Sequence, residues 1–157
     1  MPSCGMLTQA VPKTSPKPSR LLYVLDDIPG IALVELLAAG RSDLELLRAL
    51  DFEQGLTLAR DEQPDAILLD INLLGTKAVE FMQRLHEGTG TEAIPIIALG
   101  ANSSPAAFAK AIDAGFFLYL AKPLQAAPFL EALAYALEFT AVERAERGGP
   151  QPLKESR

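Results

Sequence analysis

A chain of 157 residues, 49% hydrophobic and 22% charged, has the balance of one ordinary globular domain and excludes a disordered polymer. Its net charge of −6 argues against nucleic acid as the main partner, and its single cysteine, Cys4, excludes an internal disulfide. No apolar run approaches the roughly 20 residues that span a bilayer, and the first twenty residues lack the apolar core of a secretory signal. A cytoplasmic protein without membrane attachment is expected.

Residues 1–20 hold four prolines and scattered lysines and read as a flexible leader. Arg20–Asp26 is a continuous apolar run of the kind buried on both faces of a sheet. Ile31–Ala39 has helical spacing, with Gly40 as its stop. Leu44–Ala49 is a second strand, Glu53–Asp61 a helix broken by Pro64, and Asp65–Asp70 a third strand. Lys77–His86 is a helix whose apolar face is expected to run through Val79, Met82, Gln83 and Leu85, ended by Gly88 and Gly90. Ile94–Leu99 is a fourth strand, with Pro95 tolerated at its start. Ser104–Ala114 is a helix begun by Ser103 or Ser104 with Pro105 in its first turn. Phe116–Ala121 is a fifth strand, Gln125–Thr140 the last helix, and residues 141–157 a charged extension decaying into a Gly/Pro-rich tail.

Five strand–helix pairs in alternation predict an α/β fold, a five-stranded parallel doubly wound sheet of flavodoxin-like order over residues 21–140. Such sheets bind ligands at the carboxyl ends of their strands. The residues placed there are Asp26 and Asp27, Asp70, Gly100 to Asn102, and Lys122. Carboxylates crowded together repel, so their ionisation calls for a cation. Oxygen ligands beside a phosphate suit Mg²⁺, and a lysine adds a positive point charge for a phosphoryl group. Together they describe phosphoryl transfer onto a carboxylate. Each residue taken alone has a plainer reading, a helix N-cap for Asp and a turn for Lys-Pro; their common edge favours the chemistry.

The segments YVLDDIPG (23–30), PDAILLDINLLG (64–75), IPIIALGAN (94–102) and AGFFLYLAKPL (114–124) occur in the order and spacing of a response-regulator receiver domain. Residues 20–138 resemble that family, the phospho-accepting module of two-component signalling, with the flavour of receivers attached to hybrid histidine kinases. The resemblance implies Asp70 as phosphoryl acceptor, Lys122 as its cationic partner, and Pro123 with a commonly cis preceding peptide. It implies Mg²⁺ held by Asp26, Asp27, Asp70 and the backbone carbonyl of Asn72. Backbone N–H groups at Gly100 and Ala101 would face the phosphoryl group. Tyr119 matches an aromatic switch position that swings inward on activation. The implied donor is a histidine kinase or a histidine phosphotransfer protein. With only a tail after residue 140, output is expected through a downstream protein or within a larger relay. The implied role is a signalling receiver rather than an enzyme.

Three departures stand out. Alignment without gaps puts Leu25 on the first of two usual acidic positions and Asp26 on the second, while a one-residue shift puts Asp26 and Asp27 there; the sequence is compatible with both. Gly100 replaces the usual Ser or Thr, removing a hydroxyl that would bond a phosphoryl oxygen, worth about 1.5–3 kcal/mol, and couple it to Tyr119. Leu74 stands for a usual proline, followed by an unusual Thr76–Lys77–Ala78. A phosphorylation-independent interaction module, a pseudo-receiver, is therefore the alternative.

The remaining candidates are weaker. His86, the only histidine, lies at a helix end and reads as a solvated side chain. No GxxxxGK[ST] or GxGxxG loop supports a nucleotide site. Phe116 and Phe117 read as packing residues. The small-residue helix PAAFAKAIDAG, on the Tyr119 side, is compatible with a homodimer.

Overall fold

The computed structural model describes residues 18–25, 27–75 and 77–147; Asp26, Cys4, most of the leader and the end of the tail lie outside the described residues. Among these residues the chain runs β1 (Ser19–Val24), α1 (Ile28–Ala39), β2 (Leu44–Ala49), α2 (Phe52–Glu62), β3 (Ala66–Asp70), α3 (Ile71–Leu74), α4 (Lys77–Glu87), β4 (Ile96–Gly100), α5 (Pro105–Ala114), β5 (Leu118–Ala121) and α6 (Ala126–Arg147). The strands form one parallel sheet in the order β2-β1-β3-β4-β5, and helices cover both faces.

Strand alternation divides the core in two. Leu22, Val24, Ile67, Leu69, Ile96 and Ala98 face α2, α4 and α5, where Phe52, Leu56, Phe81, Met82, Leu85 and Ala111 are buried. Leu21, Tyr23, Ala66, Leu68, Ile97 and Leu99 face α1 and α6, where Ile31, Val34, Phe129, Leu133 and Ala136 are buried. Residues one apart along a strand thus serve opposite layers, which is why these strands are apolar throughout rather than alternating with polar residues.

Several boundaries differ from the expected ones for local reasons. Helix α1 begins three residues early because Asp27 caps it: its Oδ2 accepts the Gly30 N–H at 2.8 Å, with Pro29 in the first turn. Helix α4 buries Met82 and Leu85 as expected, and its buried face is completed by Ala78 and Phe81 while Val79 and Gln83 face solvent. The fourth and fifth strands start two residues late, at Ile96 and Leu118. Ser104 caps α5 with its hydroxyl on the Ala107 N–H, at 3.1 Å. Helix α6 continues past Thr140 to Arg147, held down where the Thr140 hydroxyl donates to the Asp65 carbonyl at 2.6 Å and Arg144 pairs with the Asp65 carboxylate.

Candidate functional site

The sheet order reverses between β1 and β3, since β1 leads outward to β2 and β3 leads the other way to β4. The crevice at their carboxyl ends is the topological switch point, and Asp70 closes β3 there. Its carboxylate has 0% exposure, so its charge must be compensated within the fold. Oδ1 accepts the N–H of Asn72 at 2.9 Å and of Leu73 at 3.2 Å, capping the one-turn helix α3. Four residues carry no periodicity, so this turn leaves no signal in the sequence.

Oδ2 of Asp70 has no aligned hydrogen bond and lies 2.8 Å from the Lys122 ammonium. The two residues belong to strands separated by β4, roughly 10 Å apart, so the lysine side chain spans the end of β4. Gly100 closes that strand, and its carbonyl accepts the Lys122 N–H at 2.8 Å. The Lys122–Pro123 peptide is cis.

On the other flank the register pairs Val24 with Leu69, and its next step sets Leu25 beside Asp70. Leu25 is fully buried with the α1/α6 core. This favours the placement without gaps, in which Leu25 takes the first acidic position. Asp26 falls outside the described residues, and Asp27 has its Oδ2 committed to the first turn of α1. Among the described residues no cluster of three or more His, Cys, Asp or Glu side chains gathers for a metal. A Mg²⁺ ion needs only one or two carboxylates with several waters. Asp70, with Oδ2 buried and lacking an aligned hydrogen bond, fits that modest requirement.

The loop after β4 is tied at several points. Ala101 donates its N–H to Asn72 Oδ1 at 2.7 Å, so the residue expected to offer only a backbone carbonyl also binds through its side chain. Asn102 Oδ1 accepts the Ser104 N–H at 2.9 Å, and the Asn102 carbonyl accepts the Tyr119 hydroxyl at 2.5 Å. Tyr119 is 6% exposed, its ring turned inward against Phe108 with centroids 4.8 Å apart. Asn102 was legible only as part of a strand-end loop; its tie to the aromatic ring needs the fold. His86 is exposed near the end of α4, while Phe116 is buried and Phe117 packs on Phe139 at 5.3 Å.

A buried aspartate paired with a lysine at the switch point of a five-stranded parallel sheet is an arrangement that points to the receiver domains of signalling proteins. The family model described as "Response regulator receiver domain" matches residues 22–134, and the chain belongs to that family. It is 33% identical over 108 residues to the transcriptional regulatory protein AfsQ1 of Streptomyces coelicolor, covering 69% of this chain and 46% of that protein. It is 31% identical over 84 residues to the sensory/regulatory protein RpfC of Xanthomonas campestris, covering 52% of this chain and 12% of that protein. The chain thus spans less than half the length of these two curated relatives. Among solved structures, a response regulator from Chloroflexus aurantiacus superposes with a TM-score of 0.66 at 30% identity, covering 80% of this chain and 99% of that one. The receiver domain of the Pseudomonas aeruginosa sensor histidine kinase PA1611 superposes with a TM-score of 0.64 at 22% identity, covering 79% of this chain and 98% of that one. That neighbour carries a magnesium ion coordinated in its active-site cleft. No helix among the described residues is long and apolar enough to cross a membrane.

Proposed function

We propose that this receiver accepts a phosphoryl group on Asp70 from a phosphohistidine of a histidine kinase or a histidine phosphotransfer protein. The carrying observation is the Asp70 carboxylate itself: buried, its Oδ1 fixed by two backbone N–H groups and its Oδ2 paired only with an ammonium. In the transfer Oδ2 attacks phosphorus, the phosphorus–nitrogen bond breaks as the oxygen–phosphorus bond forms, and the leaving imidazole takes up a proton. Lys122 follows the developing charge from carboxylate to phosphoryl oxygen, a positioning and electrostatic role that needs no covalent chemistry from the lysine. Asp70, the Asn72 carbonyl and Asp26, with Asp27 if it leaves its cap, would hold Mg²⁺, which supplies charge neutralisation on the transferring group. Backbone N–H groups at Gly100 and Ala101 would receive phosphoryl oxygens, the second after release from Asn72. The receiver unit is taken as 21–140, its setting cytoplasmic, and its output a contact with a downstream protein or a second copy.

Incubation of the chain with acetyl phosphate and Mg²⁺, followed by intact mass, tests this reading. A phosphoryl adduct absent from Asp70→Asn is expected. No adduct, with no Mg²⁺ affinity by titration calorimetry, would sink it. A second reading, a phosphorylation-independent interaction module, is favoured by Leu25 beside Asp70, where a second carboxylate would strengthen a cation site.

A further inference from the structure

We propose that Gly100 and Tyr119 interlock, holding the aromatic ring inward whether or not Asp70 carries a phosphoryl group, with Asn72 as the positioning residue that keeps the adjoining loop shut. A β carbon at position 100 would lie 2.4 Å from the Tyr119 hydroxyl oxygen and 3.0 Å from two of its ring carbons. The ring and any side chain at position 100 therefore exclude each other. Pairing of Gly100 with Ala121 and of Tyr119 with Ala98 fixes both backbones, so a side chain at position 100 has to be met by turning the ring away from its place against Phe108. The residue that removes a hydroxyl from the phosphoryl site is thus also the seat of the ring.

The loop between them needs no ligand to close it. The Ala101 N–H already has the Asn72 side-chain oxygen as its acceptor, and the Tyr119 hydroxyl has the Asn102 carbonyl. An outward ring would abandon that bond, and glycine has no side chain to take the ring's place. The face built by α5 and β5 consequently presents one shape at all times, and a partner docking there reads a fixed surface. The interlock does not depend on Asp70 accepting phosphate, so the two readings can fail separately.

Nitration of the full chain by tetranitromethane, mapped by peptide mass, tests it. Tyr135, 57% exposed, serves as the reactive standard and Tyr23, 2% exposed, as the protected one. In the unaltered chain Tyr119 is expected to stay protected with and without Mg²⁺ and acetyl phosphate. In Gly100→Ala and Gly100→Thr its nitration rises about tenfold or more, the factor equivalent to about 1.4 kcal/mol of shifted equilibrium. Asn72→Ala is expected to speed exchange of the Ala101 amide and expose Tyr119, and Asn72→Asp, which keeps an acceptor oxygen, to restore protection. Should Gly100→Ala disturb folding, the urea midpoint decides: it falls in the unaltered background and does not fall in Tyr119→Ala. Tyr119 reacting like Tyr135 in the unaltered chain overturns the interlock. So does protection that appears only with acetyl phosphate, or an equal midpoint loss in both backgrounds. Intact mass on the same samples follows the Asp70 adduct, so a missing adduct with Tyr119 still protected supports the interlock and counts against phospho-acceptance.

Discussion

Removing Lys122 and removing the charge of Asp70 should have unequal effects on stability, although both break one ion pair. Lys122→Met leaves a fully buried carboxylate whose Oδ2 loses its ammonium and retains no aligned hydrogen bond. Deleting one partner of a buried pair costs about 3–5 kcal/mol, and the two N–H bonds kept by Oδ1 place this case near the lower end, about 3 kcal/mol. Asp70→Asn keeps an oxygen for the α3 cap, and the lysine side chain, 25% exposed, can turn to water. Its cost is then about 1 kcal/mol, that of an ordinary lost interaction. The double variant should cost about 1–2 kcal/mol, because Met no longer faces a charge, so the pair is strongly non-additive. Urea unfolding followed by circular dichroism reads this directly: with a slope of about 2 kcal/mol/M, the midpoint falls by about 1.5 M for Lys122→Met and about 0.5 M for Asp70→Asn. Equal losses for the two single variants, or additivity in the double, would refute the argument that burial of Asp70 sets the cost.

Gly55→Ala sets a gain in helix propensity of about 1 kcal/mol against a new β carbon 2.8 Å from the Phe81 ring edge and 3.3 Å from Val24. Overpacking is expected to win, with a net loss of about 1–2 kcal/mol in urea unfolding. Thr140→Val keeps the shape of a buried residue and deletes its hydroxyl bond to the Asp65 carbonyl. A loss of about 1 kcal/mol is expected, with faster hydrogen exchange confined to the last turns of α6. Burial, reinforced by donation of its hydroxyl to Glu35 at 2.7 Å, raises the Tyr23 pKa from 10.0 to about 12. The unfolded chain gives up this proton first, so the contribution is intact below pH 10.0 and drains away as pH climbs to about 12. Tyr23→Phe should flatten part of the stability curve in that window, and one of the tyrosines should titrate late by tyrosinate absorbance.

The fold was legible because its signal is repeated: β1, β3 and β4 announce themselves as apolar runs, and even the partly exposed edge strand β2 has the bounds Leu44–Ala49 expected from its residues. The sequence is ambiguous where one residue serves two chemistries. Asp27 beside Asp26 at a strand end is a metal-ligand candidate, and Asp followed by Pro two residues on is equally a helix start, the role its Oδ2 takes on α1. On α4 Ala78 and Val79 are both apolar, and it is Ala78, in phase with Met82 and Leu85, that joins the buried face. Gly100 read as a missing hydroxyl. That the empty space belongs to Tyr119 depends on strand pairing across β4 and β5, which no local pattern encodes.

Asp70 and Lys122 form a chemical pair, and each has a folding role as well. The aspartate caps α3 and neutralises the lysine at the switch point, and an asparagine could serve the cap but not the ion pair. Retention of both residues is therefore not by itself an argument for phosphoryl transfer, since loss of the lysine alone would already be costly. The discriminating feature is what else the site lacks for structure's sake. A purely structural pair would gain from a fully hydrogen-bonded Oδ2, yet Oδ2 is held only by the partly exposed Lys122 ammonium, at 2.8 Å. A buried carboxylate oxygen whose one partner is a partly exposed ammonium forgoes stability and stays available as a nucleophile, and that asymmetry favours phospho-acceptance over a binding module.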